Sequence, residues 1–219
     1  MIVIMDYNSK KPIYWEFIKK EDGNSIKKVL YHLKEIGLNP LTFTADGLQS
    51  TIKEIFDIYL DTILQRCLFH IERQSHSWIR MYPKSDIGKE LKSIVKTIGD
   101  VESKEEQEMF IDRYFKWFNA NKEFINAHKN DGDAKKDLKK TTSLINNAIS
   151  NMFHHINNPD VPNTTGALEG FFGHLKHHYR SHSGLSKEHK ISYLKWYCYY
   201  KSIEEKEVEK KVRKRARKK

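Results

Sequence analysis

The chain has 219 residues, 38% of them hydrophobic and 12% aromatic, which suits one domain of ordinary size or one domain carrying an insertion and excludes a disordered polymer. Its 39 Lys and Arg against 29 Asp and Glu leave a net charge of +10. That surplus favours a polyanionic partner through the release of condensed counterions, although a solvated basic surface gives the same sum. No stretch reaches the about 18–20 apolar residues of a membrane helix, Met1-Ile2-Val3-Ile4-Met5 is too short for a signal-peptide core, and Cys67 and Cys198 alone make no disulfide framework. Membrane and export roles are therefore set aside, and a reducing cytosol is expected.

In chain order, residues 2–6 and 12–19 read as two strands around the turn Asn8-Ser9-Lys10-Lys11. Ile26, Val29, Leu30, Leu33 and Ile36 recur at helical spacing between Ser25 and the stop at Gly37. Leu41 to Ala45 is a third strand that delivers Asp46 to its end, Gly47 permits a turn, and Leu48 to Leu60 is a second helix. Thr62 to His70 is expected to be a fourth strand, so the order belongs to a mixed α/β sheet. From about Glu72 to Asn158 the pattern turns helical. Lys104 to Phe124 is expected to bury Met109, Phe110, Tyr114, Phe118 and Phe124. Leu144, Ile145, Ala148, Ile149, Met152, Phe153 and Ile156 make one apolar face. His128 to Lys140, polar and Gly-containing, reads as a loop between them. Asn157 to Pro162 is a turn, Thr165 can cap a helix running to about Arg180, and an aromatic-rich helix spans Glu188 to Ile203. The basic run from Lys210 to Lys219 is a solvated end or a phosphate-binding arm.

Asp46 stands at a strand end beside a glycine, where a carboxylate can project into a cleft, and it can equally cap the helix that follows. Glu169 lies in the first turn of its helix, and at about 100° per residue Gly173, Lys176 and Arg180 fall within about 40° of it. Lys176 is too far along the helix for ordinary side-chain pairing with Glu169. The line of carboxylate, gap and two cations suits a metal-bound carboxylate with cations set for a DNA backbone, while Leu168, Phe171, Phe172, Leu175 and Tyr179 pack the neighbouring arc. His174, His177, His178 and His182 are read as a polar face rather than a metal site. Cys67 and His70 could form half a zinc site, but strand alternation would set them on opposite faces and Cys198 stands apart, so zinc is not expected.

Three segments in order carry a family resemblance: Thr44-Ala45-Asp46-Gly47-Leu48, Gln65-Arg66-Cys67-Leu68-Phe69-His70, and Pro162 through Phe172 with its continuation to Ser186. Together, with a helical insertion between the second and third, they resemble the Mutator-like bacterial insertion-sequence transposases of the DDE, ribonuclease-H-like superfamily. The resemblance implies that Asp46 and Glu169 are the second and third catalytic, metal-binding carboxylates. It makes Cys67 and His70 the accessory Cys-x-x-His pair, and Lys176, with Arg180 beside it, a contact to transposon-end DNA. It further implies two Mg²⁺ (or Mn²⁺) ions, DNA cleavage and strand transfer, a homo-oligomer on transposon ends and target, and a cytoplasmic, nucleoid-associated bacterial protein. Gly166 stands where the family motif usually has asparagine. Only two strands precede the first helix where the fold has three, so Asp6 is not taken as the first catalytic aspartate, and the chain is expected to be N-terminally truncated.

The expected architecture is an α/β, ribonuclease-H-like mixed sheet. Residues 1–72 form the first part of the core, 73–160 a helical insertion, 161–203 the helices completing the core, and 204–219 a basic tail. The expected function is a partial DDE transposase catalytic domain. The alternative is a DNA-binding remnant that no longer cuts, and an unrelated nuclease of the same fold stands behind both.

Overall fold

The computed structural model describes residues 1–20, 22–83, 85–127, 132–182 and 184–203. The basic tail, and residues 128–131 of the expected loop, lie outside the described residues. The elements run β1 (Ile2–Asp6), β2 (Lys11–Glu16), α1 (Gly23–Glu35), β3 (Thr42–Ala45), α2 (Gln49–Ile58), β4 (Ile63–Arg66), α3 (Leu68–Ile79) and α4 (Asp86–Val95). They continue with α5 (Lys104–Asn126), α6 (Asp133–Ala148), α7 (His154–Asn157), α8 (Gly166–Arg180) and α9 (Lys187–Ile203). The chain is thus mixed α/β and mostly helical. Its strands form two two-stranded sheets, β1 with β2 and β3 with β4, where the sequence pattern suggests a single mixed one.

Two compact units result. The first combines Met1–Lys20 with the chain from Gly166 onward, and the second is Glu21–Thr165. In the first, β1 and β2 pair antiparallel with an irregularity between Ile4 and Met5. Alternation along β1 puts Met1, Val3 and Met5 on one face, and Val3 lies buried among Phe171, Leu175 and Cys198 with Trp15, Leu168 and Phe172 alongside. Burial pushes the Cys198 thiol up to about 11. At the hairpin turn, Asp6 Oδ2 accepts the Ser9 N–H at 2.7 Å and Lys10 adopts φ 53°. Asp6 therefore works in shaping the turn.

In the second unit, Asp22 caps α1 by accepting the Ser25 N–H at 2.9 Å, and Ile26, Val29, Leu30 and Leu33 form its buried face. Gly37, at φ 86°, lets the chain leave the helix. Strands β3 and β4 pair in parallel, Thr42 with Ile63 through Ala45 with Arg66.

Three expectations need correction. The fourth strand stops at Arg66, and Leu68 already belongs to α3; the stretch Ile63–Phe69, too short for its periodicity to tell strand from buried helix, is decided by tertiary context. The polar stretch after residue 132 is helix α6 rather than loop. Its core-facing positions include Thr141 and Thr142, whose hydroxyls donate to the carbonyls of Asp137 and Leu138, so polar residues occupy a buried face. Along α5, the buried line is Phe110, Tyr114, Trp117 and Ile125, whereas Met109 and Phe124 are 72% and 52% exposed. Met109 lies off the face on which Phe110, Tyr114 and Trp117 stack, while Phe124, seven residues after Trp117, lies near that face in the last turn and is still exposed. A capping box between Ser103 and Glu106 starts this helix, a device worth about 1 kcal/mol. Ile145, Ala148, Met152 and Phe153 are buried together as their spacing predicts, although α6 ends at Ala148 and a short 3₁₀ turn (Ile149–Asn151) follows.

Candidate active site

Asp46 leaves the end of β3 exposed to solvent. Its Oδ1 accepts the Leu48 N–H at 3.1 Å, while the N-cap position of α2 is Leu48 itself, with no side-chain cap. The carboxylate therefore shapes a tight turn rather than capping the helix. Gly47, in the middle of that turn, has φ 106°, a conformation L side chains avoid. A Cβ built there would lie 1.9 Å from Arg66 Nη2. Arg66, at the end of the neighbouring strand, is buried. Desolvation pulls its pKa below the usual guanidinium value, and the Asp46 carboxylate and Cys67 partly offset that.

Because β4 ends at Arg66, Cys67 is the N-cap of α3 and His70 sits in its first turn. The pair is therefore on one side of the chain: His70 Nδ1 lies 3.2 Å from Cys67 Sγ, which corrects the opposite-face reading of a continuous strand. The Cys67 N–H completes the β ladder by donating to Ala45 O at 2.8 Å. Its buried sulfur accepts from the backbone N–H and hydroxyl of Thr165 at 3.3 and 3.4 Å. Two more bonds hold the same segment. Thr44 Oγ1 donates to Pro162 O at 3.0 Å, and Leu68 N–H donates to Asn163 O at 2.9 Å. The first two motif segments and the opening residues Pro162–Thr165 of the third thus meet inside the second unit, around the end of β3.

In the first unit, α8 buries Phe171 and Leu175 and half-buries Leu168, Phe172 and Tyr179, as its apolar stripe predicts. Glu169 is half-buried in the first turn, and Gly173, Lys176 and Arg180 follow it on the exposed line. The four histidines of this stretch, His174, His177, His178 and His182, are exposed. Two of them lie against aromatic rings, His178 by Tyr197 and His182 by Tyr193. A Cβ at Gly173 would meet nothing within 4 Å. Gly173→Ala is accordingly expected to stabilise the helix by about 0.5–1 kcal/mol, raising the melting temperature in a thermal scan. An unchanged or lower value would show that the glycine serves the fold.

A model of the Mutator-family transposases matches residues 6–134, more than half of the chain, with Asp46, Cys67 and His70 inside the matched span. The chain belongs to the Mutator family of transposases. Its members are DNA-modifying enzymes. No curated protein matches the chain. Among the described residues no helix is long and apolar enough to cross a membrane.

Two buried residues beside the candidate site have no role of their own in the sequence reading. Gln65 and Arg66 precede Cys67, and both are essentially fully buried. A polar pair inside a short apolar strand is the signal that marks them, since such groups are buried only when structure demands it.

Proposed function

We propose that this Mutator-family chain is the catalytic part of a DDE transposase with a ribonuclease-H-like core, cutting DNA and joining transposon ends to a target. The observation that carries the reading is the anchoring of Pro162–Thr165 to Thr44, Cys67 and Leu68. It brings the start of the third motif to the two that flank the turn bearing Asp46, and Glu169 follows in the chain on α8. Asp46 and Glu169 are the metal-binding carboxylates in this reading. Their hard oxygen donors, one exposed and one half-buried at a helix start, are of the kind Mg²⁺ or Mn²⁺ takes. Two such ions would activate water or a DNA 3′-hydroxyl and stabilise the leaving oxygen in an in-line phosphoryl displacement.

The chain's own part is positional. Asp46 is held by the Leu48 N–H, and Cys67 and His70 secure the segment leading into α8 through Thr165. Lys176 and Arg180, both exposed on the line of Glu169, supply charge for phosphate contacts. Assembly of several copies on DNA completes the proposal.

The test is a Mg²⁺- and Mn²⁺-dependent nicking and strand-transfer assay on supercoiled DNA, with Asp46→Asn and Glu169→Gln alongside. The expected result is metal-dependent cleavage that either substitution lowers by at least about 10³-fold, given what loss of a charged group at developing charge costs. Salt-sensitive DNA binding with no cleavage, indifferent to both substitutions, would instead identify a DNA-holding remnant.

A further inference from the structure

Arg66 closes β4 with 2% of its surface exposed, and its Nε is buried without a hydrogen-bond partner among the described residues. A guanidinium carries five N–H donors and keeps its proton in proteins, so burying one demands a compensating charge. The parallel register sets Arg66 beside Ala45, the residue before Asp46. From there its side chain crosses the Asp46–Leu48 turn. A Cβ at Gly47 would lie 1.9 Å from Nη2, 2.3 Å from Cζ and 2.7 Å from Nε, so the guanidinium fills the space any side chain at that position would take. Asp46 is the carboxylate whose attraction reaches it. Asp46 is in turn bound on its backbone side by the Leu48 N–H.

We propose that Arg66 is a positioning residue: seated in the gap left by Gly47, its buried guanidinium braces the turn that presents Asp46 and attracts that carboxylate toward the end of β3. Gly47 is then required twice over, for its positive φ and for the missing Cβ. The planar fork of arginine matters because it can lie flat across the turn and still face a carboxylate, which the point charge of lysine does only from one direction. The catalytic half of the inference rests on Asp46 being a metal ligand. The pairing itself does not.

The experiment is therefore a double-mutant cycle read first without metal. Wild type, Asp46→Asn, Arg66→Met and the double variant are compared by melting temperature. Removing the carboxylate alone strands a buried cation and is expected to lower the melting temperature by about 5 °C or more. The same change in the Arg66→Met background is expected to shift it by no more than about 1–2 °C. Equal shifts in both backgrounds would overturn the pairing. Should Arg66→Met not fold, the cycle is run with Arg66→Lys, where a smaller difference of the same sign is expected and equal shifts again overturn it.

The second readout is the Mg²⁺ concentration for half-maximal nicking. Arg66→Lys is expected to raise it about tenfold, the scale on which groups behind a metal ligand act, with DNA affinity and its salt dependence unchanged. Weaker DNA binding at an unchanged Mg²⁺ requirement would make Arg66 a phosphate contact and overturn the positioning role. A wild-type chain that never cleaves would sink the proposed function while the melting cycle still decides the pairing.

Discussion

Replacing Gln65 with leucine is expected to remove about 3–5 kcal/mol from the stability of the second unit, summed from the orphaned buried groups it leaves at about 1–3 kcal/mol each. The volumes are similar, so packing alone predicts little loss. The hydrogen bonds decide otherwise. Gln65 is fully buried, its Nε2 donates to Met152 O at 2.6 Å and Arg66 O at 2.8 Å, and its Oε1 accepts the His155 N–H at 3.2 Å. One side chain thus satisfies the carbonyl of Met152, just before α7, and the first-turn N–H of His155 within it, where no helix ladder serves those groups. Gln65→Glu fails for the opposite reason, since it would aim a carboxylate at two carbonyls. Urea denaturation checks this: the midpoint should fall markedly with the slope unchanged. A midpoint within error of wild type would mean that water or the local backbone satisfies the turn. Because Arg66 and Cys67 follow directly, the same variant should also impair metal-dependent cleavage.

The second large effect is expected at Tyr114. It is fully buried, packed among the rings of Phe110, Phe115, Trp117 and Phe118, and its hydroxyl donates to Asn146 Oδ1 at 2.8 Å. Tyr114→Ala leaves a cavity in the helical core and should cost about 3–5 kcal/mol. Tyr114→Phe keeps the ring and should cost about 1–2 kcal/mol for the lost hydrogen bond. The two also differ with pH. Burial pushes the Tyr114 phenol above its ordinary value, so the native state holds it neutral while the unfolded chain ionises near pH 10. Its contribution is intact below about pH 10 and is lost as pH rises further. Tyr14, raised to about 12 by burial and by Glu16, acts in the same direction. Stability measured from pH 8 to 11 should fall less steeply in Tyr114→Phe than in wild type. Parallel slopes would contradict the buried neutral phenol.

What the sequence disclosed, and what it hid, follows from the range of the interactions involved. The strand at Ile2–Asp6, the α1 face of Ile26, Val29, Leu30 and Leu33, and the α8 stripe of Phe171 and Leu175 are written in spacings of two to four residues. Asp46 was legible as a strand-end carboxylate because glycine follows it directly. The break between Arg66 and Leu68 was not, since no glycine, proline or turn residue marks it. Helix α6 was hidden by the buried threonines that bond back to their own backbone. The reach of Gln65 to Met152 and His155, and of Arg66 into the space above Gly47, are long-range facts with no local signature. Such positions show only as polar residues where the pattern asks for apolar ones.

The first unit joins the two ends of the described chain, Met1–Lys20 with the segment from Gly166, across everything that lies between. During synthesis the hairpin of β1 and β2 emerges well before the helices that cover Val3 and Trp15. A lone two-stranded hairpin is marginal in water, so its apolar face must wait in the open while the second unit, whose partners are already made, condenses. Closing the first unit then means tying off a very long loop, a slow step by contact order. The growing chain therefore carries an exposed strand pair until α8 and α9 are made, which gives this hairpin a need for chaperone cover that the second unit does not share.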